Sequence, residues 1–265
     1  MNMSKIFDVH CHIYPHKIAE KAAAAIGSFY SMPMRFDGSV ESLLEQAESS
    51  GTTLMAVHSA ATTPHQVSSV NKFISETQRT YPNQLIGFGT LHPDSEHLEE
   101  EFKELMTLGL QGIKLHPDFQ KFNLDSVSAR KMFALVGDTL PFLIHMGDER
   151  FTYSAPERLK SVKKEFPDLK IIAAHFGGWT MWRESTKILA GTPGLYVDCS
   201  SSLFALSKEE SREIIRRYGA DQVIYGSDYP MWNLQEELER LKALELADTD
   251  QQKILWDNAQ RFLKL

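Results

Sequence analysis

Eight times along the chain a short apolar run is followed by a longer amphipathic stretch, and no other feature restricts the fold as much. The runs at 5–12, 53–59, 85–91, 112–116, 142–145, 170–175, 195–199 and 223–225 are rich in Val, Ile, Leu and Phe. Uninterrupted apolar runs of this length suit strands covered on both faces, as in a parallel sheet. Any one of them could be buried helix, so the argument rests on the repetition. Strand–helix alternation is the pattern of a parallel α/β fold, and eight units point to a closed (β/α)8 TIM barrel. Such a barrel takes about 250 residues. The 265 residues therefore read as one barrel domain, 1–265.

The intervening stretches carry helix signals. Residues 39–50 open on Ser39 and stop at Gly51, and 64–81 place Val67, Val70, Phe73 and Ile74 on one stripe. Asp94 is read as the cap of a helix running to Leu108, with Gly109 behind it. Residues 126–137, 155–166, 179–189 and 207–218 follow the same plan, and 234–246 and 249–262 close the chain. The segment 13–37, between the first strand and its helix, is long. It is expected to form a loop-helix cap: an extra helix over 17–26, then 28–37 with Phe29, Tyr30, Met32, Met34 and Phe36. Long loops at this end of a barrel lie over the active face. Their apolar residues read either as a patch folded onto the rim or as a surface for self-association into a homo-oligomer.

Bulk properties exclude some partners. A net charge of −7 argues against nucleic acid, which calls for clustered Lys and Arg. Two cysteines, Cys11 and Cys199, argue against a disulfide framework and make a reducing, cytoplasmic setting the default expectation. No signal-like h-region and no apolar run near the length of a membrane span is visible, so no membrane partner is expected. The expected partner is a small molecule.

The chemistry gathers in Asp8-Val9-His10-Cys11-His12. Alternate strand residues share a face, so His10 and His12 should point together with Asp8 below them, while Cys11 faces the helices. Two imidazoles one pleat apart can chelate a divalent ion such as Zn²⁺. The pair by itself is a weak motif. Its position at the C-terminal end of the first strand strengthens it, because barrel enzymes draw catalytic residues from these ends. His145 (Ile-His-Met-Gly), His175 (His-Phe-Gly-Gly) and Asp228 (Gly-Ser-Asp-Tyr-Pro) repeat that placement on the fifth, sixth and eighth strands.

Taken as a set, Asp-x-His-x-His, Ile-His-x-Gly, His-x-Gly-Gly and Gly-Ser-Asp-Tyr-Pro resemble the amidohydrolase superfamily. More closely they resemble the branch that includes aminocarboxymuconate semialdehyde decarboxylase and related hydrolases and hydratases. The resemblance covers nearly the whole chain and implies roles. His10, His12, His145 and Asp228 would bind the metal, usually zinc. His175 would act as base or orienter, and Asp228 would also shuttle a proton. A bound Zn²⁺ lowers the pKa of water from about 15.7 towards 7.

The fourth strand, Gly112-Ile113-Lys114-Leu115-His116-Pro117, leaves alternatives open. Lys114 and His116 should share the mouth. Lys114 is read as a carbamylated bridge between two metals, with His145 and His175 on the second ion, as a cation for a substrate carboxylate, or as half of a salt bridge. Other candidates for lining the pocket are His58 and His92. Arg150 and Arg183 are candidate carboxylate clamps, or surface ion pairs. Trp179, Trp182, Tyr229 and Trp232 are a candidate wall for a flat substrate, or core. His16, His65 and His97 should face solvent. The expected activity is hydrolysis of a small polar or carboxylated substrate by metal-activated water. The rival is a lyase that decarboxylates or hydrates an unsaturated or aromatic acid. A non-catalytic metal-binding barrel would require a lost ligand or base, and none is missing.

Overall fold

The computed structural model describes residues 5–265. Eight parallel strands follow one another around the sheet in chain order. They are β1 (Phe7–His12), β2 (Leu54–His58), β3 (Leu85–Thr90), β4 (Gly112–Leu115), β5 (Phe142–Ile144), β6 (Ile171–Ala173), β7 (Leu195–Asp198) and β8 (Val223–Ile224). Backbone bonds between the first and last strands close the ring. The N–H of Val9 donates to the Tyr225 carbonyl (3.1 Å), that of Asp228 to His10 (2.9 Å) and that of His12 to Tyr229 (2.7 Å). The expected TIM barrel is thus the observed one.

Two apolar layers result from strand alternation. Phe7, Val9, Ala56, Ile86, Phe88, Leu143, Ile172 and Ile224 fill the barrel interior. Cys11, Met55, Val57, Ile113, Leu115, Ile144 and Val197 pack outward against the helices. At the N-terminal end of the barrel, Ala259 and Phe262 of the last helix, Asn258–Leu263, plug the interior. Among the described residues no helix is long and apolar enough to cross a membrane.

Caps explain most helix boundaries. The Ser39, Ser126 and Ser207 side chains each accept from the third residue on, and Gly51 ends its helix with φ 72°. Three expectations need correction. The helix expected from Asp94 begins at Leu98, because His92-Pro93-Asp94-Ser95 closes a turn through the Ser95 N–H on the His92 carbonyl (3.0 Å). The helix expected from residue 179 begins at Trp182, since Trp179 is held in a bridge to Gly147. The cap helix spans Ala19–Tyr30, four residues further than expected, which carries Phe29 and Tyr30 onto it.

The apolar residues at the end of the cap helix and just after it turn inward. Phe29 packs on Phe119 (4.7 Å between ring centroids) and Phe36 stacks on Tyr229 (5.7 Å). This matches the patch folded onto the rim; the large exposed apolar residues lie elsewhere, at Ile18, Met106, Val127, Phe204 and Leu265.

One buried acid outside the barrel mouth sets a pH response. Glu237, on helix Leu234–Lys242, is 1% exposed. Arg240 holds one carboxylate oxygen and the other has no partner among the described residues. Burial pushes its carboxyl up to about 7, against the pull of Arg240. A folded pKa above the unfolded one means that the fold favours the protonated acid. The resulting penalty is absent below about 4.5, grows through the interval and is complete above about 7. Its size is on the order of 3 kcal/mol. Glu237→Gln keeps the shape without the charge, so its stability relative to wild type should rise between pH 5 and 8. Parallel urea-unfolding profiles across that range would contradict this.

Candidate metal centre at the barrel mouth

A bulge in β1 aims the first histidines. The register runs Asp8↔Met55 and then Cys11↔Val57, so β1 holds one residue more than β2 between these pairs. Phe7 and Val9 face the barrel interior while Cys11 faces the helices, so the alternation slips by one residue at Val9-His10. That slip puts His10 and His12 into the mouth together, with Cys11 outward as expected. It also corrects the placement of Asp8, which lies on the opposite parity from Phe7 and Val9 instead of beneath the histidines. Its carboxylate accepts from the backbone N–H of His10 and Ser227 (both 3.0 Å).

The residues at the mouth interlock. His10 Nε2 lies 3.2 Å from His12 Nε2, and Asp228 Oδ1 lies 3.3 Å from the first and 3.5 Å from the second. His10 Nδ1 donates to Asp198 Oδ2 (2.9 Å). A carboxylate can only accept, so this bond fixes the tautomer and leaves the Nε2 lone pair for the mouth. His175 Nδ1 lies 3.1 Å from the Ser200 carbonyl, which likewise turns its Nε2 lone pair inward, 3.0 Å from His145 Nδ1. Asp228 Oδ2 accepts from Ser201.

Burial lowers the imidazoles: His12 to about 3, His175 to about 4, and His58, His116 and His145 well below their usual value. At neutral pH they are uncharged and free to donate lone pairs. Asp228 is held well below the usual carboxylate range: burial opposes this, but the facing histidines outweigh it. Several neutral lone pairs and a carboxylate converging on one point suit a divalent cation. His10, His12 and Asp228 could hold one, and His116, Asp118 and His145 form a second close set, with His145 linked to the first through His175.

The fourth strand brings Lys114 into the centre. Its Nζ lies 2.8 Å from His10 Nε2, and burial lowers it to about 8. It is not kept at a distance from the ligand cluster. An ammonium there and a divalent ion on the same Nε2 exclude each other, so an ion-loaded site needs Lys114 uncharged or turned aside. His116 stacks on His145 (3.9 Å) and, like His145, contacts the Tyr30 hydroxyl (3.0 and 3.5 Å). Among the described residues neither nitrogen of the buried His58 has a hydrogen-bond partner, and its ring sits edge-on to His12 (4.5 Å).

The substrate candidates separate. Trp179 lines the mouth together with His12, His116, His145, His175 and Asp228. Arg150 does not line it. Its guanidinium is spent on Asp148 (2.8 and 2.7 Å) and on the Phe29 carbonyl at the end of the cap helix (2.7 Å). Tyr229 is buried with its hydroxyl on the Ser39 carbonyl (2.9 Å). Arg183 forms a surface pair with Glu210. His92 is buried and accepts from the Asp94 N–H, while His16, His65 and His97 are exposed. Sequence reading placed Tyr30 only in the segment over the active face, and missed Phe119 and Ser201 in the lining and Asp198 and Ser200 behind the histidines. Asp198 carried a usable signal, an acid at a strand end. The contact of Tyr30 with His116 carried none, because it depends on where the cap helix stops.

Two site residues adopt left-handed backbones, His175 (φ 60°) and Asp228 (φ 62°). Such strain outside glycine concentrates where a side chain must be aimed.

A parallel barrel with imidazoles and carboxylates gathered at its strand C-termini belongs to the class of TIM-barrel proteins suited to a divalent metal. More narrowly, the chain belongs to the amidohydrolase family, whose model matches residues 7–265. It is 27% identical to a γ-resorcylate decarboxylase from Polaromonas sp. across 38% of this chain; the match spans 36% of that protein's length. Among solved structures, it resembles an uncharacterised TIM-barrel protein from Bordetella bronchiseptica (21% identity, 98% of both chains, TM-score 0.82). It also resembles a dihydroxybenzoic acid decarboxylase from Polaromonas sp., solved with manganese and 2-nitroresorcinol (17% identity, 99% and 98% of the two chains, TM-score 0.78). At these identities the structures establish the fold.

Proposed function

We propose that the protein is a metal-dependent carboxy-lyase that decarboxylates a small aromatic or unsaturated carboxylic acid. The observation that carries this reading is the convergence of His10, His12 and Asp228 beside His145 and His175, in a mouth walled by Tyr30, Phe119 and Trp179. Flat aromatic walls suit a ring. The decarboxylases among the similar proteins favour a lyase over the hydrolase expected from sequence.

In this reading His10, His12, His145 and Asp228 hold one divalent ion, zinc or manganese. When bound, it supplies positive charge that orients an anionic substrate. Asp198 and Ser200 hold the rings of His10 and His175 in their working tautomers. The reaction replaces a C–COO⁻ bond with C–H and releases carbon dioxide, so one proton must reach the substrate carbon. Asp228 and His175 are the groups placed to handle it. Trp179, Tyr30 and Phe119 keep bulk water from the reacting carboxyl end.

A panel of hydroxylated benzoic acids, incubated with zinc- or manganese-loaded protein, should release carbon dioxide in amounts equal to the acid consumed. Hydrolysis of lactones or amides without any carbon dioxide release would return the hydrolase reading.

A further inference from the structure

The space around the candidate centre is too small for a whole substrate. The cavity that includes His175 and Asp228 offers about 30 Å³, enough for a water or two. A pocket for a small organic ligand is typically about 300–1,000 Å³. A groove of about 640 Å³ opens directly from this cavity and shares His12, Ile26, His116 and Phe119 with it. It runs between the cap helix and helix Val67–Thr80, walled by Ala22, Ala25, Ile26, Phe29, Val70 and Phe73. From Phe29 back to Ala22 it follows about 10 Å of helix at 1.5 Å per residue.

Widening the inner cavity instead would require the end of the cap helix to move away, and that end is tied down. Arg150 donates to the Phe29 carbonyl (2.7 Å) and lies over the Phe29 ring (4.7 Å), with Asp148 gripping its other edge. Tyr30 is in turn bonded to His116.

We infer that the groove is a substrate subsite: the acid bears an apolar arm that lies along it, while the carboxyl end reaches the histidines. This rests on the carboxy-lyase reading for the reaction, but binding along the groove can be measured without it. The walls are mainly aliphatic and aromatic, with Lys21, Gln66 and Ser69 also in the lining, so the gain should come from burying the arm and should scale with its length.

Metal-loaded protein is titrated calorimetrically with benzoates carrying a para methyl, ethyl, propyl or butyl group. Affinity should rise about four-fold per added methylene. Ala25→Trp and Val70→Trp, which fill the groove from opposite walls, should each flatten that series. Ala25 is exposed, so its replacement does not threaten the fold. Equal affinity along the series, no binding by any member, or a steep series unchanged by both tryptophans would overturn the subsite. Arm-dependent binding with no carbon dioxide release from any acid would instead remove the carboxy-lyase reading and leave the subsite standing.

Discussion

Asp228→Ala should lower turnover by a factor on the order of 10³ or more, and bound metal should fall well below one ion per chain. The geometry makes this residue the hinge of the centre. Oδ1 faces both His10 Nε2 (3.3 Å) and His12 Nε2 (3.5 Å), and Oδ2 is held by Ser201. Its left-handed backbone (φ 62°) is fixed by the N–H donated to the His10 carbonyl, so no neighbouring acid can replace it. In the proposed reading, removing it takes away a ligand charge and a proton-handling group at once. A loss of 10³ corresponds to about 4 kcal/mol of transition-state stabilisation. His12→Ala should show the same pair of losses, since it removes one of the facing lone pairs. The check is elemental analysis of protein freed of loose metal, alongside turnover. Full metal occupancy and turnover in both variants would dismantle the proposed centre.

Gly147→Ala should destabilise the protein by about 3 kcal/mol or more and loosen the contact between His145 and His175. Gly147 has φ 85°, a region that costs a side-chain-bearing residue about 1–2 kcal/mol. An added Cβ would also stand 2.5 Å from the Trp179 nitrogen and 2.6 Å from the Gly178 Cα. Both are backbone atoms and have no rotamer through which to retreat. Here the loops after β5 and β6 cross: the Trp179 N–H donates to the Met146 carbonyl (2.7 Å) and the Asp148 N–H to the Trp179 carbonyl (2.9 Å). The crossing seats His175 Nε2 3.0 Å from His145 Nδ1. Gly191→Ala is the control. Its φ is 80° but none of the described residues lies within 4 Å of an added Cβ, so it should cost the backbone strain alone. Thermal unfolding should separate the two by several degrees, with metal content reduced in Gly147→Ala only. Equal losses would mean that the close crossing carries no weight.

That crossing also explains why two of the motifs were legible. In Ile-His-x-Gly and His-x-Gly-Gly, the histidines bring the chemistry and the glycines let the loops bearing them pass at contact distance. The motifs were readable one strand at a time because each is a local requirement on a few consecutive residues.

What the amino-acid order determined by itself is the barrel, the family, and the placement of His10, His12, His145, His175 and Asp228 at strand ends. Periodicity dictates burial, and burial dictates which face each strand presents. Only the tertiary structure decided that Asp8 leaves the histidine face, that Arg150 ties down a helix, and that Lys114 reaches His10. The same holds for Tyr30, which the cap helix delivers to the centre. The physical reason is that a one-residue bulge, the stopping point of a helix and the reach of a long side chain are settled by partners far off in the chain. Their sum of packing, charge and hydrogen bonding has no local signature.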